Sequence, residues 1–307
     1  MTFLAASLLS FALASQGTPA EPGTAPVPLL QRIVVLGASV SDGFGLESQV
    51  GARTGMTDVV HSAIVAPHGT VKATTSLLFF TSPDQIGASL VAKVREADPT
   101  LVFAIDYLFW FAYGAAATDE ARLEHLDRGL ASLEALDCPL LLGDIPDMSA
   151  AARPDPAGQV PPLLVPEQVP SEKSLALLNG RIRAWAAGRK NVLVVPVADF
   201  IARLHAGTEI EIHGNHWSAG AREKLIGPDR LHPTLEGAVA LWLAGLDALA
   251  AARDDLPSTA IDWSVPSVSA RVFASKEKER EANLERTLEK LRKADEAKAK
   301  PKSAGGG

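Results

Sequence analysis

The sequence predicts a three-layer α/β/α sandwich, on the strength of two observations. Short apolar runs recur without polar alternation, and stretches of helical period lie between them. The runs 33–36 (IVVL), 101–105 (LVFAI), 140–142 (LLL) and 192–195 (VLVV) have the length and composition of strands buried on both faces, which is the character of a parallel sheet. After the first run, Ser82 as N-cap, Pro83 at the first helical position and Gln85 two residues on predict a capping box, with Ile86, Leu90 and Val94 following at helical spacing. Leu123, Leu126, Leu130 and Leu133 form a second apolar stripe, Leu175, Leu178 and Ile182 a third, and the Ala- and Leu-rich stretch 235–252 a fourth. Strands that alternate with helices need crossovers covering both sheet faces, and open sheets of this kind carry their sites beyond the carboxyl ends of the strands.

The sandwich is expected over residues 32–256, since 307 residues with 47% hydrophobic content can bury a sizeable core. Residues 1–15 read as a secretory signal with the small-x-small site Ala12-Leu13-Ala14, and 16–31 as a flexible linker rich in Pro, Gly and Thr. The expected address is therefore periplasmic or extracellular, or cytoplasmic if that segment is no signal. No later segment is read as a membrane span. Residues 150–171 are proline-rich and predict a surface loop near the site, a candidate lid. Residues 257–274 read as a connector, and 275–307 as a charged, solvated helix with a disordered tail. Leu284, Leu288 and Leu291 make too short a stripe to specify a coiled coil, so the oligomeric state stays open.

Charge excludes one class of partner. With 29 Lys and Arg against 36 Asp and Glu, the formal net charge of −7 is opposite to the footprint of a nucleic-acid binder. The lone cysteine, Cys138, lies in an apolar stretch and cannot form an intramolecular disulfide or a thiolate metal site. No cofactor and no metal are expected.

The chemistry concentrates in two places. Directly after the first strand stands Gly37-Ala38-Ser39-Val40-Ser41-Asp42-Gly43-Phe44-Gly45, a strand-to-helix turn that would expose the Ser39 hydroxyl and leave its N–H free to face an anion. A phosphate-binding turn is the competing reading, but the P-loop Lys and the G-x-G-x-x-G spacing are missing and Asp42 would repel phosphate; a purely structural turn is the other. A serine nucleophile needs a base, and the base needs an orienting partner. Asp229 and His232, three apart just before the last apolar helix, can supply both. The nearby His213-Gly214-Asn215-His216-Trp217 invites a metal reading through its spacing, but Gly and Asn disfavour the helix that would align two ligands, so a substrate-contacting loop is preferred.

With these residues in place, the stretch from Ile33 to Arg253 resembles the SGNH (GDSL-like) hydrolases. The family's G-D-S-x-[ST]-D-G block resembles GASVSDG, with Ser39 as nucleophile, and D-x-x-H-P-x-x-x-G matches Asp229, His232, Pro233 and Gly237. The resemblance implies a flavodoxin-like parallel sheet and cleavage of acyl esters, by an esterase, lipase or carbohydrate deacetylase, through a Ser-His-Asp triad without metal. Two middle blocks depart: the oxyanion glycine falls at Lys72 or Ala73, and Asp106 stands in the G-x-N-D block where the family has its oxyanion asparagine. Asp106 would serve as donor if held protonated among aromatic residues, with Tyr107 and Trp110 on a pocket wall. Two functions remain open: a hydrolase acting on a small-molecule or glycan acyl ester, or an impaired domain that binds an envelope glycan or acyl ligand without turnover.

Overall fold

The computed structural model describes residues 26–154, 158 and 160–299. The expected signal peptide, most of the linker and the far C-terminal tail fall outside them.

The five-stranded sheet consists of β1 (Arg32–Gly37), β2 (Thr70–Thr75), β3 (Leu101–Ala104), β4 (Leu140–Gly143) and β5 (Val192–Val195), all parallel, in the order β2-β1-β3-β4-β5. The apolar runs read from the sequence are β1, β3, β4 and β5. β2 was not legible: it is an edge strand, TVKATT, with a polar and largely exposed pattern that carries no hydrophobic signal.

Eleven helices are described: α1 (Ser39–Asp42), α2 (Leu46–Val50), α3 (Met56–Ala63), α4 (Pro83–Glu96), α5 (Phe109–Tyr113), α6 (Asp119–Leu133), α7 (Glu172–Ala187), α8 (Val197–Ala206), α9 (Arg222–Leu225), α10 (Leu235–Ala252) and α11 (Val265–Ala299). Helices α4, α6 and α7 pack against one another over one face of the sheet, and α3, α10 and α11 over the other, which completes the three layers. An antiparallel hairpin of β6 (Ile210–Ile212) and β7 (Asn215–Trp217) stands apart from the main sheet.

Helix α10 is, among the described residues, the one helix long and apolar enough to cross a membrane by length and composition, contrary to the sequence reading. Its residues Trp242, Leu243, Leu246 and Leu249 are fully buried, and Trp242 packs edge-on against Phe103 of β3. The apolar composition serves the core contact.

Three local expectations are corrected, and one is refined. The linker does not run to residue 31: Pro28–Leu30 forms a 3-10 turn, and Val27, Leu29 and Leu30 are buried, because apolar residues next to β1 gain more from burial than from exposure. Ser82 stands at the N-cap of α4, but its side chain makes no capping hydrogen bond, so the box does not form. The stretch 257–274 is not a connector throughout: α11 begins at Val265, and Val265, Val268 and Val272 pack into the core. Their spacing of three and four is helical, and Lys276 extends the contact by pairing with Asp58 of α3 at 2.9 Å. Leu284, Leu288 and Leu291, farther along α11, are exposed. Finally, the proline-rich loop contains short 3-10 turns at Ser149–Ala152 and Pro166–Gln168.

The order in which strands are added to the sheet reverses at β1, because β2 lies on one side of it and β3 on the other. Such a switch point leaves a crevice beyond the carboxyl ends of the strands. Ser39 follows β1 there and Asp106 follows β3.

Candidate active site

The Ser39 turn is built by a carboxylate from the neighbouring strand. Asp106 Oδ1 accepts from the Ala38 amide at 3.1 Å and from the Ser41 hydroxyl, and Oδ2 accepts from the amides of Val40 at 2.9 Å and Ser41 at 3.1 Å. Gly37 makes the approach possible, since a Cβ there would lie 1.9 Å from Asp106 Oδ1. Gly43, at φ +83°, ends α1 in the left-handed region against the Thr54 carbonyl. Asp42 ties α1 to the end of β2 by accepting from Thr75 Oγ1 at 2.7 Å, and pairs with Arg53. Of the amides of residues 38 to 41, that of Ser39 alone has no hydrogen-bond partner among the described residues.

The second turn precedes α10. Asp229 Oδ1 accepts from the amides of Leu231 at 3.0 Å and His232 at 2.9 Å, and Oδ2 accepts from His232 Nδ1 at 2.8 Å. With Nδ1 donating, Nε2 is the acceptor, and the Ser39 hydroxyl donates to it at 2.9 Å. Residues 193 positions apart thus form one continuous hydrogen-bonded line. Thr234, two residues after His232, caps α10 by accepting from the Gly237 amide at 3.1 Å, which fixes the start of the helix at Leu235. The Phe44 ring packs on the imidazole with centroids 4.5 Å apart.

The two carboxyls differ in electrostatics. Burial pushes Asp106 up from the ordinary carboxylate value, and the Ser41 hydroxyl with the three amides only partly offsets it. For Asp229 burial also acts upward, but the hydrogen bonds and charge of His232 and the amide of Leu231 outweigh it, and the net direction is down. An ionised Asp229 beside Nδ1 stabilises the imidazolium that forms when Nε2 takes the serine proton.

Three expected site residues lie elsewhere or do something else. Asp106 is no oxyanion donor: both of its oxygens are taken up in accepting from the turn. Ala73 lies within β2 opposite Val35, short of the strand's carboxyl end and exposed, so it does not reach the serine. The chain arrives at the serine only after Thr75, and Leu77 is the residue that lines the groove beside Ser39. Its amide has no hydrogen-bond partner among the described residues. Leu77 was missed because placing it requires knowing where the unrecognised strand ends. Tyr107 is fully buried behind the site: its hydroxyl pairs with Ser132 Oγ at 2.6 Å, its ring packs on Phe79, and burial pushes its hydroxyl up to about 12. Phe111 and Tyr113 share that core role, whereas Trp110 does line the groove, with its ring 5.6 Å from that of Phe80.

The HGNHW stretch is the β6–β7 hairpin, and it makes no contact with the space around Ser39. His213 pairs with Asp247 of α10 at 2.8 Å and stacks on Trp263, so its side chains brace the hairpin. The proline-rich loop does reach the site. Leu163 and Gln168 line the groove, Arg230 donates to the carbonyls of Arg153 and Pro154, and Arg122 donates to those of Glu167 and Gln168. The loop is therefore held at both ends, once by the residue next to Asp229.

Two spaces meet at Ser39. An open groove of about 370 Å³ is lined by Phe44, Leu77, Phe80, Trp110, Leu163 and His232. A smaller cavity of about 60 Å³ also borders Ser39, between the carboxyl ends of β1, β3 and β4 and helices α8 and α10, and its lining does not include His232.

No protein-family model and no curated protein matches the chain. Among solved structures, TesA is similar over 73% of this chain and 100% of its own, with 18% identity and a TM-score of 0.44. A lipase/acylhydrolase from Enterococcus faecalis is similar over 71% of this chain and 96% of its own, with 14% identity and a TM-score of 0.43.

Proposed function

We propose that the chain is a serine hydrolase that cleaves an acyl ester. The observation that carries this reading is the line Ser39 Oγ, His232 Nε2, His232 Nδ1, Asp229 Oδ2, with donor–acceptor distances of 2.9 and 2.8 Å at its two steps. Ser39 Oγ attacks the ester carbonyl and gives its proton to Nε2, while Asp229 holds the tautomer. The imidazolium returns that proton to the leaving alcohol oxygen, which leaves an acyl-serine. A water then gives a proton to Nε2 and attacks the acyl carbon, and the acid leaves as the serine hydroxyl is restored. The negative oxygen of each tetrahedral intermediate is met by the amides of Ser39 and Leu77, whose N–H groups are uncommitted.

The binding-only reading rested on substitutions at Ala73 and Asp106. Neither residue occupies the oxyanion position in this reading, so no specific observation favours the binder.

The experiment is hydrolysis of chromogenic acyl esters by the wild type, Ser39→Ala and His232→Ala. Each variant is expected to lose about 10⁴- to 10⁶-fold in kcat, with an unchanged thermal unfolding midpoint. Turnover that survives Ser39→Ala overturns the proposal.

A further inference from the structure

We infer that the small cavity beside Ser39 is the acyl pocket and the open groove the alcohol site, so that the substrate is a short-chain, unsubstituted acyl ester of a bulky apolar alcohol. This rests on the hydrolase reading above.

The assignment of sides follows from proton transfer. His232 Nε2 must hand its proton to the oxygen of the leaving alcohol, so the alcohol occupies the space that His232 lines. That space is the groove; the cavity touches Ser39 but not His232. With the alcohol on the imidazole side and the carbonyl oxygen on the amides, the acyl chain is left with the cavity.

Size and chemistry then define the acyl group. At about 10–15 Å³ for each water-sized guest, 60 Å³ admits about four to six non-hydrogen atoms beyond the carbonyl. The wall is made by Ile105, Phe109, Ile145, Phe200, Ile201 and Leu241, which offer nothing to a polar substituent. Its two carboxyls are already engaged. Asp106 accepts from the serine turn, and Asp144 accepts from the Ala198 amide at 2.7 Å and from Arg183 at 3.0 Å. A charged acyl group such as a dicarboxylic half-ester would meet both of them without a free cation to balance it.

The groove has the opposite properties. Its volume falls within the roughly 300–1,000 Å³ common for small-molecule sites, it is open, and Phe44, Leu77, Phe80 and Leu163 remain substantially exposed around it. Those side chains await an apolar partner larger than the cavity could hold.

The test is kcat/KM of the full-length protein for 1-naphthyl esters from acetate to palmitate, at monomeric substrate concentrations. The maximum is expected between acetyl and heptanoyl, with at least about a tenfold fall by decanoyl. Ile201→Ala should move the maximum to longer acyl chains. Trp110→Ala should leave its position unchanged while lowering the preference for naphthyl over ethyl esters. A wild-type maximum at decanoyl or longer, or an optimum moved by Trp110→Ala and not by Ile201→Ala, overturns the assignment; the wild-type profile decides even if a variant fails to fold. If the esters are cleaved and only the chain-length profile disagrees, the pocket assignment fails and the hydrolase reading stands. If no ester is cleaved and Ser39 resists a fluorophosphonate probe, the hydrolase reading fails and this inference goes with it.

Discussion

The two turns that meet at the candidate site are built alike and are legible to very different degrees. In each, one carboxyl gathers backbone amides: Asp106 takes those of Ala38, Val40 and Ser41, and Asp229 takes those of Leu231 and His232. In the second turn the carboxyl comes from the turn itself, three residues before the imidazole it orients. In the first it comes from the end of the neighbouring strand, 65 to 68 residues away. One carboxyl therefore orients a side chain that can react, and the other shapes the backbone that presents the nucleophile. The difference can be broken or sharpened by substitution.

Of the two carboxyls, Asp229 is expected to give the larger effect on turnover. Asp229→Asn preserves size but lets an amide face Nδ1, which favours the wrong tautomer, so kcat should fall by about 10³- to 10⁴-fold, and the stabilisation that the lowered carboxyl contributes near neutral pH is lost with it. Steady-state kinetics with a calorimetric scan measures both. Asp106→Asn should act differently, because an asparagine amide would point a donor at donors. It is expected to cost about 1–3 kcal/mol of stability and, through a displaced turn, about 10²-fold in turnover. An asparagine variant as active and as stable as the wild type would restore Asp106 to the oxyanion role.

Acidity separates the two carboxyls by sign. The folded-state value of Asp229 lies below the unfolded value of about 3.9, so its contribution is present above that pH and is lost as the pH falls through the folded value. Asp106 is raised, so the folded state holds its proton after the unfolded chain has released it. Its contribution is full below about pH 3.9 and declines as the pH rises toward the folded value. In unfolding midpoints measured from pH 3 to 8, the gap between wild type and Asp229→Asn should close on the acid side. The gap to Asp106→Asn should be widest there. Both gaps closing in the same direction would contradict this division.

The smallest effect is expected at Tyr107. Tyr107→Phe removes only the bond to Ser132, so it should cost about 1 kcal/mol and leave kcat unchanged. A loss of turnover would return Tyr107 to the substrate wall.

The same contrast explains what the sequence reveals. Strands buried on both faces announce themselves by composition, and the Asp229–His232 pair by local spacing, because both signals are contained within a few residues. β2 carries no such signal. As an exposed edge it has no apolar face to display, and without its end point Leu77 could not be set beside Ser39 and Ala73 was set there instead. Asp106 was found but given the wrong partner, since a carboxyl's acceptors and donors are decided by the turn that folds onto it from a distant part of the chain. Tyr107 and Trp110 are three apart and differ in what they reach: Tyr107, ahead of α5, meets Ser132 of α6, and Trp110, within α5, lines the groove.

The central claim is that Ser39 is a nucleophile activated by His232. Its most direct test is labelling of the folded protein with a fluorophosphonate probe, followed by mass-spectrometric mapping of the modified residue in the wild type and in His232→Ala. The account expects a single adduct on Ser39, formed at least 10²-fold more slowly without the imidazole. No adduct on folded wild-type protein, or an adduct on another serine, would contradict it.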